Sequence, residues 1–280
     1  MLSCTSSFPC ASNEAERIGT LAGTCLKLEL DTHPKPGLVS YMDCGAHSDM
    51  DAALLARSAD TLIPFFIDLA AAGAVGAKMS RLRTIGLAAE RAMLAATGGV
   101  NTHRGAIFGL GLLAAAAGLQ VKYRIATSVG QIVANRWGPD IMAGPILLHS
   151  HGAIVARRYA TGGARIEAAR GFPAIFRTAL PMLRKVEASM PHDPEAARVQ
   201  ACMSLIATVD DTNLLYRGGT LGLAYARASA CAFLLGGGVA QPNWRTIAGD
   251  IHAAFMARNL SPGGCADLLA MTLYVSELAR

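Results

Sequence analysis

The residues best suited to chemistry lie in one stretch, Thr97-Gly98-Gly99-Val100-Asn101-Thr102-His103-Arg104-Gly105-Ala106-Ile107-Phe108. Its two adjacent glycines let the backbone turn sharply before an apolar segment begins. A loop that leads into a helix N-terminus presents free N–H groups and a partial positive charge, which favour an anion. Asn101, His103 and Arg104 would add donors at the same place. The stretch fits a phosphate-binding corner, and it fits equally a helix break followed by a solvated basic pair.

Three further loops combine carboxylates with glycines or hydroxyl groups near expected helix boundaries. They are His47-Ser48-Asp49-Met50-Asp51, Asp210-Asp211-Thr212-Asn213 with Arg217-Gly218-Gly219, and Asn259-Leu260-Ser261-Pro262-Gly263-Gly264-Cys265-Ala266-Asp267. Hard cations such as Mg²⁺ prefer carboxylate oxygens and take water and phosphates as their other ligands. Each loop alone is more often a helix cap. Four such loops in one apolar chain indicate a polar cleft within a helical core.

A helix is expected after Ser80, a candidate N-cap, because apolar residues recur at helical spacing up to Ala96. Arg83 and Glu90 are seven residues apart on it and therefore lie nearly in line. They could project into a cleft, although most charged residues on helices face solvent.

The composition indicates a large core and a small anionic ligand. Of the 280 residues, 52% are hydrophobic and only 16% are charged. The formal net charge is +5, aromatic residues make up 6%, and the basic residues are scattered, which disfavours nucleic-acid binding. Seven cysteines without a C-x-x-C pair predict reduced thiols and a cytoplasmic location. The first twelve residues lack the features of a secretory signal.

Two uncharged runs approach the length of a membrane span, one between Arg104 and Lys122 and one between Arg227 and Arg245. Both contain several glycines, and the second also contains Pro242. We interpret them as buried helices of a soluble protein and expect no membrane span.

The chain predicts an all-α fold, with a disordered tail over residues 1–12 and one compact helical catalytic domain over 13–280. Alanine, leucine and methionine dominate the periodic segments, and no alternating β-branched runs occur. Pro34 and Pro36 should end the first helix, and Pro64 should bend or restart the second. Further helices are expected over 106–117, 125–137, 145–159, 174–188, 194–209, 221–235, 243–256 and 266–278.

Familiar catalytic signatures are absent from the sequence. It has no G-x-x-x-x-G-K-[ST] phosphate loop, no G-x-S-x-G nucleophile elbow and no H-E-x-x-H zinc motif. His149-Ser150-His151 lacks a third metal ligand nearby and is interpreted as structural or peripheral.

A series of segments in order along the chain resembles the triphosphoribosyl-dephospho-CoA synthase family. The segments are Pro34-Lys35-Pro36-Gly37-Leu38-Val39, Gly45-Ala46-His47-Ser48-Asp49-Met50, Leu82-Arg83-Thr84-Ile85-Gly86, Gly99 to Phe108, Asp211-Thr212-Asn213 with Arg217-Gly218-Gly219, and Ser261-Pro262-Gly263-Gly264 with Asp267-Leu268-Leu269-Ala270. The chain departs from the family pattern at Arg104, where lysine is frequent, and at Cys265, where serine is common. Its length and free-standing form are more similar to the malonate decarboxylase branch than to the citrate lyase branch.

The resemblance implies transfer of the triphosphoribosyl group of ATP to the 2′-hydroxyl of 3′-dephospho-CoA, with release of adenine and with Mg²⁺ as cofactor. The product would pass to a transferase that loads an acyl carrier subunit. The oligomeric state, including a homodimer, is left open.

The resemblance also suggests roles for individual residues. Glu90, Asp49 and His47 are the catalytic candidates, and Asp49, Asp211 and Asp267 are the metal ligands. The predicted substrate-binding residues are Lys35, Arg83, Asn101, His103, Arg104, Asn213, Arg217, Gly218 and Ser261.

Two rival functions belong to other classes. A metal-dependent N-glycohydrolase acting on compounds like ADP-ribose would use water in place of the acceptor hydroxyl. A non-enzymatic scaffold would bind a carrier protein and have no affinity for nucleotides.

Overall fold

The computed structural model describes residues 9–145, 155, 158–159 and 161–280, which form helices and loops with no strand among them. The predicted all-α fold is therefore confirmed. In chain order the helices are α1 Pro9–Asp31, α2 Ala52–Ala74, α3 Met79–Ala96, α4 Arg104–Tyr123, α5 Val129–Ala143, α6 Gly163–Ala169, a π-helix Ala174–Ala179, α7 Leu180–Ser189, α8 Pro194–Thr208, α9 Thr212–Leu235, a 3₁₀ turn Gly238–Ala240, α10 Trp244–Ala257 and α11 Gly263–Leu278.

Several predicted boundaries differ from the observed ones. Helix α1 begins at Pro9 instead of Asn13, and α2 runs through Pro64 without a break. Ser80 lies inside the first turn of α3, because the extended backbone of Lys78 already ends the preceding loop. Residues 1–8, His149-Ser150-His151 and most of the expected helix 145–159 lie outside the described residues.

Helix α4 is the central helix, packed against α1, α2, α3, α5 and α11. Glycines allow it to approach α2 closely: a Cβ at Gly73 would lie 1.9 Å from the Ala115 carbonyl oxygen, and one at Gly118 would lie 2.0 Å from that of Ala70. By length and composition α4 could cross a membrane, but 72% of its apolar window is buried inside the protein. It is thus the buried core helix that the sequence predicts.

The second uncharged run is not one continuous helix. It contains the end of α9, a turn at Gly236 and Gly237, and the 3₁₀ turn. Leu235, at the end of α9, is 89% exposed, so the prediction of a buried helix is wrong for this run.

Helix α9 begins at Thr212, nine residues before the predicted start at Leu221, and bends at Gly219. Gly219 has φ 62° and ψ −160°, a region that side-chain-bearing residues almost never adopt. The glycine pair therefore produces a kink where the sequence predicted a helix start. The turns before the kink carry Asn213 and Arg217 to the place where α4 and α11 begin.

Candidate active site

A cavity of about 1760 Å³ opens where the N-terminal ends of α4, α9 and α11 meet the loop 46–50. This volume exceeds the roughly 300–1,000 Å³ typical of a pocket for one small ligand, so two nucleotides could fit. Most of the predicted site residues line it, namely His47, Asp49, Arg83, Glu90, Asn101, His103, Arg104, Asp211, Asn213, Arg217, Ser261 and Asp267. Lys35 and Gly218 do not. The fold thus joins the four polar loops into one cleft.

Asp267 lies in the second turn of α11, directly against the first turn of α4. Gly105 makes this contact possible, because a Cβ there would lie only 2.0 Å from the Asp267 Oδ2 atom. The backbone N–H of Ala106 donates a hydrogen bond to the carboxylate. Burial, together with the negative charges of Glu29 and Asp211, raises the pKa of Asp267 well above its usual value. A carboxylate that holds a proton more readily than usual is a suitable proton acceptor.

We expect Gly105→Ala to disable the site without unfolding the protein. The new methyl group would displace the Asp267 carboxylate, whereas the helical backbone at this position suits alanine. Gly86→Ala is the matched control, since Gly86 lines the same cavity and a Cβ there would meet no atom within 4 Å. Turnover and thermal unfolding of both variants test this. Full activity in Gly105→Ala would show that the contact is unimportant.

Asp211 is buried and caps α9. Its Oδ1 accepts the N–H groups of Asn213 and Leu214 at 2.8 and 3.1 Å, and its Oδ2 accepts that of Cys265 at 2.8 Å. Burial raises the pKa of Asp211, while these hydrogen bonds act in the opposite direction. Asp211 therefore clamps the start of α9 to that of α11. In the part of the chain that the structure describes, no three His, Cys, Asp or Glu side chains form a group that could hold a metal ion.

His47 lies between Arg217 and Ser261. Its Nδ1 accepts a hydrogen bond from Arg217 Nη2 at 3.1 Å, because arginine can only donate, so the neutral ring carries its proton on Nε2. Nε2 then donates to Ser261 Oγ at 2.9 Å. Burial and the Arg217 charge lower the pKa of His47, although Asp49 partly opposes them. This geometry supports a positioning role for His47, which orients the Ser261 hydroxyl, over the predicted catalytic role.

Arg217 also binds the two neighbouring loops. Its Nη1 donates to the Ala46 carbonyl oxygen at 2.8 Å and to Asn259 Oδ1 at 2.7 Å. Arg217 therefore fixes the shape of this wall and has less donor capacity for a phosphate than the sequence suggested.

The central corner between α3 and α4 has the predicted turn. Gly98 and Gly99 adopt φ values of 63° and 92°, but neither lies near other atoms, so they serve the turn itself. The Arg104 N–H donates to Asn101 Oδ1 at 3.2 Å, and its guanidinium pairs with Glu90 at 2.6 Å. Arg83 and Glu90 both line the cavity. Of the two alternatives that the sequence left open, projection into a cleft is therefore the one observed.

Two predicted substrate contacts lie outside the cavity. The Lys35 side chain is fully buried, and its Nζ donates to the side chain and the carbonyl oxygen of Glu29. It is therefore a counter-charge beneath the cavity floor and does not reach the cavity. Gly218 packs against Leu260, whose Cδ2 would lie 2.6 Å from an added Cβ, so its role is close packing.

His103 is buried, and its Nδ1 contacts Ser58 Oγ at 2.8 Å. Burial and the nearby Lys35 charge lower its pKa from 6.5 to about 4. The ring is therefore neutral at physiological pH and can offer a hydrogen bond but no positive charge. This corrects the expectation of a basic pair at His103 and Arg104.

The neutral His103 predicts a pH-dependent contribution to stability. Because its folded-state pKa is depressed, the contribution is complete above pH 6.5 and is lost as pH falls towards 4. The loss is about 3 kcal/mol at about 1.4 kcal/mol per pKa unit. We expect the free energy of unfolding of the wild type to fall relative to that of His103→Asn between pH 7 and 4. A difference that stays constant over this range would show that His103 titrates normally.

One wall of the cavity, formed by α6 and the π-helix, was not predicted from the sequence. Arg165 donates to the carbonyl oxygens of Ile141, Met142 and Gly144 and thereby closes the end of α5. Arg170 and Arg177 follow in the same wall and line the cavity. Gly162, Gly163 and Gly171 lie at these turns, but they have no cluster of carboxylates beside them in the sequence that would have indicated a site.

Comparisons with known proteins agree with this geometry. Residues 15–280 match the family model described as ATP:dephospho-CoA triphosphoribosyl transferase. Similar proteins include one from Pseudomonas fluorescens, 41% identical over 94% of this chain and 92% of its own length. One from Azotobacter vinelandii is 39% identical over 94% and 92%, and one from Acinetobacter calcoaceticus is 35% identical over 95% and 92%. All three are named as probable 2-(5''-triphosphoribosyl)-3'-dephosphocoenzyme-A synthases.

No solved structure matches the chain. The family model covers almost the whole sequence, including every loop that contributes to the cavity. The chain therefore belongs to the ATP:dephospho-CoA triphosphoribosyl transferase family.

Proposed function

We propose that this chain transfers the 5-triphosphoribosyl group of ATP to the 2′-hydroxyl of 3′-dephospho-CoA and releases adenine, making the prosthetic-group precursor for the acyl carrier subunit of malonate decarboxylase. The family membership supports the reaction class, a pentosyl transfer that uses ATP and dephospho-CoA. The observation that carries the proposal is the position of Asp267, a carboxylate with a raised pKa in a cavity that lies at three helix N-termini and is large enough for two nucleotides.

The reaction breaks the bond between C1′ of the ATP ribose and N9 of adenine, and it forms a bond between C1′ and the acceptor oxygen. Positive charge develops on the sugar as the bond to adenine breaks, so a nearby carboxylate stabilises the transition state. The acceptor hydroxyl loses its proton to a carboxylate, and adenine gains a proton as it leaves. The triphosphate stays intact.

We assign the proton-accepting role to Asp267 in preference to Glu90. Glu90 is held by Arg104 at 2.6 Å, so its carboxylate is already engaged in an ion pair at the corner. Asp267 lies deeper, and its only hydrogen bond among the described groups comes from the Ala106 N–H. Glu90 then serves to orient Arg104 towards the triphosphate.

The residues present fit a magnesium ion held mainly by substrate. Asp49 is exposed at the cavity and Asp267 faces it, whereas the oxygens of Asp211 are occupied by backbone N–H groups. Mg²⁺ typically binds one or two carboxylates together with phosphates and water. Asp49 would hold it, since Asp267 serves as the proton acceptor, and the ion would neutralise charge on the triphosphate.

Arg83, Arg104 and the positive end of the α4 helix dipole form the proposed triphosphate site. Arginine can bind phosphate oxygens through two parallel hydrogen bonds, and a helix N-terminus adds a favourable dipole. Asn213, Arg217 and the Ser261 hydroxyl also line the cavity, and in this proposal they recognise the ribose hydroxyls.

Chromatography of the reaction mixture tests the proposed function. Adenine should form from ATP only when 3′-dephospho-CoA and Mg²⁺ are both present, with a matching mass gain on the CoA derivative. Adenine formed without the acceptor would indicate a glycohydrolase, and no adenine from folded protein would indicate a scaffold.

The malonate decarboxylase role, the downstream transferase and the cytoplasmic location belong to the same proposal. Adding the product and the downstream transferase to malonate decarboxylase that lacks its prosthetic group should restore decarboxylation. Both branches use the same product, so the branch is tested in cells that lack this chain: loss of malonate decarboxylation would support the malonate branch, and loss of citrate cleavage alone would assign the chain to the other branch.

A further inference from the structure

A strained segment joins α6 to α7 and forms the cavity wall that the reaction scheme leaves unused. Phe172 adopts φ 59°, which a bulky side chain rarely does, and it is buried in the wall of the cavity. The next residue is Pro173, which restricts the backbone of Phe172 further. Strain of this kind persists where the surrounding structure fixes it, frequently at ligand-binding elements.

The chain then continues as a π-helix over Ala174–Ala179, another feature that frequently marks functional sites. Glu167 accepts the N–H of Ala174 at 2.7 Å and so holds the start of this turn. Burial raises the pKa of Glu167, while the Ala174 hydrogen bond and the Arg170 charge act in the opposite direction. The result is a rigid turn that carries Arg177 on the cavity wall.

Arg83, Arg170 and Arg177 together form what we call the arginine wall. Gly144 links Arg83 to the rest of this wall. A Cβ at Gly144 would lie 2.4 Å from Arg83 Nη2. The Gly144 carbonyl oxygen accepts a hydrogen bond from Arg165 of α6. Among the described residues, Arg83 and Arg177 form no hydrogen bond or ion pair. The carboxylates on this side are already engaged, Glu90 by Arg104 and Glu167 by the Ala174 N–H.

We propose that the arginine wall binds the pyrophosphate diester of the acceptor nucleotide through contacts that include Arg177. This inference rests on the proposed function and names the second anion site that the reaction requires. The triphosphate of ATP carries the larger charge and suits the side of the cavity with carboxylates for Mg²⁺. A diester with one negative charge on each phosphate suits a wall of arginines without free carboxylates.

Apolar residues next to the arginine wall could contact the uncharged pantetheine arm of such an acceptor. Leu87 lies one turn beyond Arg83 on α3, and Met142 lies just before Gly144. Both line the cavity although they are large apolar side chains with exposed fractions of 44% and 50%. An uncharged pantetheine arm would cover them when the pyrophosphate is bound.

Binding and steady-state kinetics of Arg177→Gln test the proposal. We expect the Kd for 3′-dephospho-CoA, measured by calorimetry without ATP, to rise about tenfold, as when a charge-assisted hydrogen bond is lost. The KM for this acceptor should rise similarly, while the KM for ATP and kcat stay unchanged. Arg83→Gln, whose side chain adjoins both sites, should weaken binding of the acceptor as well.

Arg184→Gln is the matched control, because Arg184 is exposed on α7, the continuation of the same helix, and does not line the cavity. An increase in the KM for ATP alone, or an Arg177→Gln variant that binds the acceptor as tightly as the control, would overturn the proposal. Adenine release by the wild type tests the proposed function separately, so either idea can fail without the other.

Discussion

Asp267→Asn should lower kcat by about 10²–10⁴-fold, the usual contribution of a general base. Asparagine keeps the size of the side chain and can occupy the position beside Gly105, but it cannot accept the proton of the attacking hydroxyl.

The same variant should be as stable as the wild type or more stable. A carboxylate whose folded-state pKa is raised contributes most to stability at low pH, and this contribution is lost as pH rises through the folded-state pKa. Asparagine removes the desolvation and the repulsion by Glu29 and Asp211 that disfavour the charged form of Asp267.

Adenine formation and thermal unfolding of the same preparation measure both effects. Asp250→Asn is the control, since Asp250 is exposed on α10 and does not line the cavity. The activity of the wild type should fall as the solution is acidified through the raised pKa of Asp267. If Asp267→Asn retained more than about a tenth of the activity, Glu90 would again be the stronger candidate for the base.

Much of the fold follows from periodicity and capping. The loop that ends at Asp51 fits a helix cap, because a carboxylate before an apolar run satisfies free helix N–H groups, and in the structure Asp51 accepts the Leu54 N–H at 2.8 Å. The uncharged run after Arg104 predicts a buried helix because it has no polar face. The start of α9 was missed because Gly219 produces a kink within the helix, and only the backbone angles distinguish a kink from an end.

The site was predicted as a set of loops, and the structure confirms that those loops converge. The sequence could not show which polar and charged side chains contact each other and are therefore not free for a ligand. Arg104 pairs with Glu90 across 14 residues, and Arg217 contacts His47 across 170. The arginine wall was missed because a π-helix has no distinctive sequence period and because glycines and one buried glutamate set its shape.

Lys35→Met should destabilise the protein by about 3–5 kcal/mol, the usual cost of leaving one member of a buried ion pair without its partner. The Lys35 side chain is fully buried, and its Nζ lies 2.5 Å from Glu29 Oε1. Without the lysine, the Glu29 charge would lie beside Asp267 and Asp211 with no neighbouring positive charge to balance it. Glu29→Gln should be destabilising too, since it leaves the buried ammonium group alone.

A double-mutant cycle separates this structural role from the predicted role in binding ATP. The Lys35→Met/Glu29→Gln protein should recover most of the lost stability, because a buried pair can be replaced by neutral groups of similar size at little cost. Denaturant unfolding of the four proteins gives the coupling free energy directly. A Lys35→Met protein that is as stable as the wild type but has a raised KM for ATP would mean that Lys35 contacts the triphosphate. Strong coupling to Glu29 would instead show that the lysine supports the carboxylates of the cavity floor, so that its loss weakens catalysis through Asp267.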